Sequence, residues 1–247
     1  MRADGGSRSE GKYAGGIIML VDLHIHSCLS PCAENDMTPA NICGMAYIKG
    51  LQAIAVTDHN TARNLPYVKE AADHYGLILL PGMEITTREE VHLLGYFHDV
   101  ETAVQVGEIF SQHLPPMKNK PDFFGHQYVM DTDDEIVSEE ERLLIGATDL
   151  DLEQCTALIR EHGGIAVPAH INRGSNGLLI NLGFMPPEPV FSIVETATHL
   201  PLDGKAVEGK LQLHSSDAHR LGDILEAVND LPTERFSFGG LWDTLAK

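Results

Sequence analysis

Basic residues are scarce in this chain: 17 Lys and Arg stand against 36 Asp and Glu, a formal net charge of -19 in 247 residues. Phosphate backbones are held mainly by many Lys and Arg contacts, so a long nucleic acid is excluded as a resident partner. A small phosphorylated substrate, drawn in by a few arginines, stays compatible, and divalent ions bound by carboxylates would cancel part of the acid. Long apolar runs are also missing. Nothing approaches the roughly 18 residues of a membrane span, and the Ile17 to Val21 run is shorter than the about 7 to 15 residues of a signal-peptide core. Cysteine is sparse as well: Cys28, Cys32, Cys43 and Cys155 form no CxxC pair and no disulfide framework. Together these absences predict a cytoplasmic protein with no membrane association and no evident obligate protein partner.

What the chain has instead is a steady exchange of apolar runs and amphipathic stretches. Residues 1–16, rich in Gly, Ser and charge, predict a disordered extension, and 17–247 read as one α/β domain of barrel size. IIMLVDLHIH, LQAIAVTDH, LILLPGMEIT, VHLLGYF, IAVPAH, SIVETAT and LQLHSSDAH read as strands. Helices are expected from Thr38, a cap, through Tyr47, near Pro66 to His74, over LDLEQCTALIREHGG, and over GDILEAVND. This alternation implies parallel βαβ units. From about 98 to 149 the rhythm breaks at Pro115-Pro116, at Phe123-Phe124 and in the acidic run Asp131 to Glu141. That section reads as a helical insertion over the mouth of the domain, able to shape substrate choice, or as a solvated excursion.

The chemistry-bearing residues gather where apolar runs end: His24, His26, His59, Glu84, His92, His170, Asp217 and His219. Side chains at i and i+2 of a strand share a face, so His24 with His26, and Asp217 with His219, can each turn toward one centre. Imidazole and carboxylate are ligands for zinc, manganese or iron, and residues at successive strand ends of an α/β domain converge. One histidine at a strand end is usually structural; six of the chain's 13 placed so are not. His74, His98, His113, His126, His162, His199 and His214 lack that context, with His126 and His199 the candidates to overhang the site. Asp58 reads as a residue that orients His59 or a loop.

In combination, DLHIHS, TDHN, GMEIT, HLLGYF, PAHINR and SSDAH resemble the PHP (polymerase and histidinol phosphatase) family over about residues 22 to 219. The resemblance implies a distorted seven-stranded (βα) TIM-like barrel with two or three divalent metal ions at the C-terminal ends of its strands. Carried over position by position, it puts His24, His26, Glu84 and Asp217 on one metal. Glu84 bridges to a second metal with His92 and His170, and a third takes His59 and His219. The third site lacks a settled partner: where many relatives have an acid or histidine after HSxxS, this chain has Pro31 and Cys32, with Glu34 and Asp36 behind. Cys32 suits zinc or iron, Asp36 or Glu34 a harder ion, and water remains an option.

Such a centre suits phosphoester hydrolysis by a metal-activated hydroxide, because a bound ion can lower the pKa of water from 15.7 to about 7. Arg63, Arg173 and Arg220 each follow a proposed ligand closely and read as phosphate donors, with rim ion pairs as the plainer alternative. Asp217 or His219 could pass a proton to the leaving group. The substrate expected is a small phosphorylated metabolite, a nucleotide or a short oligonucleotide. The other classes to weigh are amidohydrolase-like cleavage of a non-phosphate bond and a catalytically silent, metal-stabilised binding module.

Overall fold

Strands form from the start: β1 (Lys12–Tyr13) lies inside the stretch expected to be disordered, and the long β2 (Gly16–Ile25) follows on the first apolar run. The computed structural model describes residues 12–13 and 16–247, so most of the expected disordered extension lies outside the described residues. Its Lys12 and Tyr13 pair antiparallel with Ile17 and Gly16. After β2 comes α1 (Pro39–Ile48), capped as expected by the Thr38 hydroxyl, which accepts from the Asn41 amide; Pro39 sits where a missing N–H is harmless. β3 (Ala53–Val56) and α2 (Leu65–Tyr75) follow. LILLPGMEIT divides into β4 (Ile78–Leu79) and β5 (Gly82–Thr86), since Pro81 cannot donate to a ladder.

β6 (His92–Tyr96) corrects the expectation of uniformly parallel units. Only residues 87–91 separate it from β5, whereas a parallel crossover needs about a dozen or more, so the two pair antiparallel with Thr86 opposite His92. The middle section holds α3 (Val100–Gln112), α4 (Pro121–Phe124) and a hairpin of β7 (Tyr128–Met130) and β8 (Ile136–Glu139), so it is helix and hairpin rather than helix alone. α5 (Leu152–Glu161) starts from a capping box of Asp151 and Gln154 and leads to β9 (Ile165–Pro168), antiparallel to β6. α6 (Leu178–Asn181) precedes β10 (Ile193–Glu195) and β11 (Leu211–Leu213), a parallel pair. β12 (Asp230–Thr233) returns antiparallel to β2, and α7 (Phe238–Leu245) closes the chain.

GDILEAVND is not a helix; it forms a 3₁₀ turn at Leu221–Asp223 and then runs irregularly. Tertiary bonds outcompete its weak propensity: the buried Asp22 carboxylate accepts from the Leu225 amide at 3.0 Å, and Lys49 donates to the Gly222 and Ile224 carbonyls. Burial lifts the Asp22 pKa, partly offset by its bonds to the Leu225 and Ser216 amides.

Among the described residues, hydrogen bonds join the strands into separate arcs: β2-β3-β4 with β1 and β12 on β2, β5-β6-β9, β10-β11, and the β7-β8 hairpin. The first three arcs share one apolar interior. Val21 and Leu23 of β2, Ala53 of β3, Tyr96 of β6, Val167 of β9 and Ile193 of β10 belong to a single buried cluster, covered below by Leu241 of α7. A second cluster packs α1, α2, α3 and α5 against the outer faces.

One irregularity decides where the site forms. Strict alternation from Val21 and Leu23 would send Ile25 inward and His24 outward. The register between β2 and β3 shifts between Asp22 and Ile25, and beyond the shift Ile25 joins the outer cluster while His24 meets residues of other arcs. A bulge of this kind re-aims side chains, and here it turns both histidines of the first motif to the interior.

Candidate metal centre

The sequence delivers its histidines to one end of the domain from strands of both directions. His24 and His26 leave β2, His59 follows β3, and His170 follows β9. His92 departs from the expectation that ligands lie at C-terminal strand ends: it opens β6, because that strand runs antiparallel. Glu84 lies within β5, where it forms an isolated bridge with His59. His170 and Asp217 hold φ of 28° and 52°, a region non-glycine residues avoid. Such conformations cost on the order of 1–3 kcal/mol and concentrate at functional sites.

Three overlapping groups have all their candidate ligand atoms within 4.8 Å of one another: His24, His26, Glu84 and Asp217; His59, Glu84 and His92; and His26, His59 and His219. Glu84 Oε1 is 3.3 Å from His24 Nε2, 2.8 Å from His92 Nδ1 and 3.2 Å from His170 Nε2. Its Oε2 is 3.4 Å from His26 Nε2 and 3.1 Å from His59 Nδ1. Asp217 Oδ1 is 3.0 Å from His26 Nε2. Several of these buried atoms, His59 Nδ1, His92 Nδ1, Glu84 Oε2 and Asp217 Oδ1 among them, approach others without hydrogen-bond geometry. Buried polar atoms are normally satisfied, so atoms aimed together but not at each other fit a shared cation.

The electrostatics point the same way. Burial depresses the His26 imidazole, but the adjacent Asp217 and Glu84 carboxylates override this and lift it to about 9. His59 is likewise depressed by burial and lifted to about 9 by Cys32 and Glu84. His92 and His219 go to about 4, chiefly through burial and with the neighbouring histidines adding repulsion. Glu84 and Asp217 are driven well below the carboxylate range, because attraction to His92, His24 and His26 exceeds the penalty of burial. The centre thus calls for positive charge but cannot protonate all its rings, a demand that divalent ions meet.

A second layer fixes the rings. Glu195, buried at the end of β10, lies 3.0 Å from His24 Nδ1 through Oε2 and accepts from the His170 amide at 3.0 Å. Sequence reading passed over it, although it ends the apolar run SIVE as the other site carboxylates end theirs. With Nδ1 donating to Glu195, His24 turns Nε2 to the centre. Ser30 Oγ donates to Asp58 at 2.7 Å and lies 3.0 Å from His26 Nδ1, and Asp58 also accepts from the Ser27 amide and hydroxyl, so it braces the first loop. Gly177 holds the His170 loop in close: a Cβ there would lie 2.4 Å from the Arg173 carbonyl and 3.0 Å from that of His170.

The remaining expected residues separate clearly. Arg173 pairs with Asp217 at the centre. Arg63 is taken by Glu108 and Glu140 at 2.7 and 2.5 Å, and Arg220 by Glu34 at 3.0 Å. Exposed Cys32 interacts with His59, and the next loop residue but one, Glu34, donates its amide to the His219 carbonyl at 2.9 Å. His126 stacks on Tyr128 and meets Glu139, away from the cluster, while His199 lines a cavity next to it. A cleft of about 80 Å³ opens over Glu84 between His59, His92, His170, Arg173 and His219.

Comparison with known proteins gives this geometry a context. The model of the PHP domain matches residues 22–161. A 5'-3' exoribonuclease of Haemophilus influenzae is 32% identical over 81 residues, covering 32% of this chain and 28% of that protein. The chain therefore spans less than a third of that relative's length. In fold it is similar to the lesion-specific endonuclease EndoQ of Pyrococcus furiosus, with TM-score 0.65 and 17% identity over 92% of this chain and 56% of the other. It is also similar to an amidohydrolase of Chromobacterium violaceum, with TM-score 0.55 and 18% identity over 92% and 96% of the two chains.

Proposed function

We propose, from the premise that this chain belongs to the PHP domain family, that its buried His, Glu and Asp cluster hydrolyses the phosphoester of a small phosphorylated metabolite, a nucleotide or a short oligonucleotide. The observation that carries the reading is the convergence of three ligand groups on Glu84 and His26. We infer that the arcs around the shared interior form the distorted barrel expected of the family, with the insertion at about 98–149 reaching its first loop, where the Tyr128 amide donates to the Cys28 carbonyl. His24, His26, Glu84 and Asp217 would hold one ion. Glu84, with His92 and His59 or His170, would hold a second, and His59, His219 and Cys32 a third. Cys32 is preferred to Asp36 there because it reaches His59. When bound, such ions supply a nucleophile at neutral pH and draw charge from phosphoryl oxygens.

The chain's own residues do the rest. Arg173 reaches the centre through Asp217 and is the arginine placed to take a phosphoryl oxygen; Arg63 and Arg220 serve the rim as ion pairs. Hydrolysis moves a proton from the attacking water to the leaving oxygen. That proton would pass through water beside Asp217 or His219; His219 Nδ1 donates to the Asp217 carbonyl at 2.8 Å, so its Nε2 is the atom left to face the third ion. The relatives named as nucleases widen the expected substrates toward nucleic acid, but the charge of -19 favours short substrates over a long duplex. Four free cysteines fit a cytoplasmic setting, and among the described residues no helix is long and apolar enough to cross a membrane.

Two measurements check this. On a panel of phosphomonoesters, phosphodiesters, amides and lactones, with manganese or zinc added, cleavage should be confined to phosphoesters. Cleavage of amides alone would reverse the reading, and no turnover by metal-loaded protein would favour a silent module. Arg173→Ala should raise KM for a phosphoester about 10-fold or more, as loss of a charged contact costs about 1.5–3 kcal/mol; unaltered kinetics would remove it from the site.

A further inference from the structure

Beside the metal centre lies a larger space that the reaction as described leaves unused, a cavity of about 510 Å³. Topology puts it there. β10 and β11 are parallel neighbours, so the segments that follow them, 196–200 and 214–217, leave the sheet at the same end and part above it. His170, Arg173 and Asp217 line both this cavity and the 80 Å³ cleft over Glu84. A phosphoryl group held at the centre would therefore have its organic substituent pointing into the cavity or out to solvent.

We propose that this cavity is the subsite for the organic part of the substrate, and that the part it accepts is an uncharged, hydroxyl-bearing group of sugar to nucleoside size. The proposal rests on the phosphoesterase reading and narrows it. Small-molecule sites span about 300–1,000 Å³, which the cavity satisfies. Thr196, Thr198, His199 and Ser215 bring hydroxyl and imidazole groups to its wall, and Leu225 adds an apolar surface. Its charge is selective. Among the described residues that line it, Arg173 is the one Lys or Arg, and that guanidinium is already paired with Asp217. Glu195 and Asp223 add negative charge to the same wall. A second phosphate on the organic group would enter an acidic space with no free cation to meet it, a burial that is strongly disfavoured. The cavity thus selects for a monophosphate on a neutral polar alcohol and against a polyanionic continuation of the substrate.

The test uses the metal-loaded full chain, the variants Thr198→Trp and His199→Ala, and four probes: methyl phosphate, a hexose monophosphate, a nucleoside 5′-monophosphate and a nucleoside 3′,5′-bisphosphate. Thr198 and His199 are exposed at the cavity mouth, so Trp can block it without entering the core, and melting curves verify folding. The expected result is a fall in kcat/KM of about tenfold or more for the hexose and nucleoside monophosphates with Thr198→Trp, and a smaller fall with His199→Ala, while methyl phosphate stays within about twofold. Wild type should also favour the nucleoside monophosphate over the bisphosphate. Equal losses on all probes in folded variants, no loss on any, or a preference for the bisphosphate would overturn the proposal. If wild type turned over none of the four, the subsite proposal would fail, and the phosphoesterase reading would fail with it only if the phosphodiesters of the wider panel were also left uncleaved; turnover indifferent to both variants removes the subsite alone.

Discussion

His26→Ala is expected to lose phosphoester turnover by well over a hundredfold and to bind less metal, one of the two largest effects expected here. Loss of an outer partner of a metal ligand typically costs about 10–100-fold, and His26 is no outer partner. It belongs to two of the three ligand groups, one with His24, Glu84 and Asp217 and the other with His59 and His219. Its Nε2 lies 3.0 Å from Asp217 and 3.4 Å from Glu84, and its ring stacks on His219 with centroids 4.3 Å apart. Alanine would remove the nitrogen proposed to hold the first ion, open space beside His59 and His219, and leave the Glu84 and Asp217 carboxylates with less positive charge between them. Elemental analysis and phosphate release on the folded variant check the point together. Wild-type turnover with wild-type metal content would end the assignment of His26.

Glu195→Gln is expected to weaken metal binding or turnover by about 10–100-fold without touching a ligand atom directed at the centre. The substitution keeps the shape and one carbonyl oxygen, so the bond from the His170 amide can persist. What it removes is charge beside His24 Nδ1. Burial alone would depress His24, and attraction to Glu195, the first of its acidic partners, then Asp217 and Glu84, raises it well above the usual imidazole range. A neutral amide holds the His24 tautomer less firmly and makes its Nε2 a poorer donor. Metal titration of Glu195→Gln followed by turnover at saturating metal separates the two effects: weaker affinity with recovered turnover marks a positioning residue, and identical curves for variant and wild type would show that Glu195 only packs.

Most of the site was legible because each motif ends an apolar run, a local pattern that survives whatever the strands do next. The rest depended on geometry that a run of residues does not display. The β2 bulge that turns His24 inward has no glycine to mark it, since residues 22 to 25 read Asp-Leu-His-Ile. The antiparallel course of β6 was readable in principle, because residues 87–91 cannot make a crossover. Alternation masked that spacing, and with it the fact that His92 begins its strand. Glu195 carried the same signal as the candidate ligands and was hidden only by lacking a histidine neighbour. Arg63 and Arg220 show the opposite limit: sequence proximity to a ligand put them near the centre, but Glu108, Glu140 and Glu34 hold their guanidinium groups at the rim. In an acidic chain, arginine near a ligand is as readily a partner for acid as for phosphate.

The most direct measurement is phosphate release from a phosphomonoester by protein stripped with a chelator and then titrated with manganese or zinc. The metal-centre account predicts no turnover in the stripped protein, then a rise that saturates only after more than one equivalent has bound, because Glu84 serves more than one ligand group. Full turnover by the stripped protein, or turnover that added metal leaves unchanged, would contradict it.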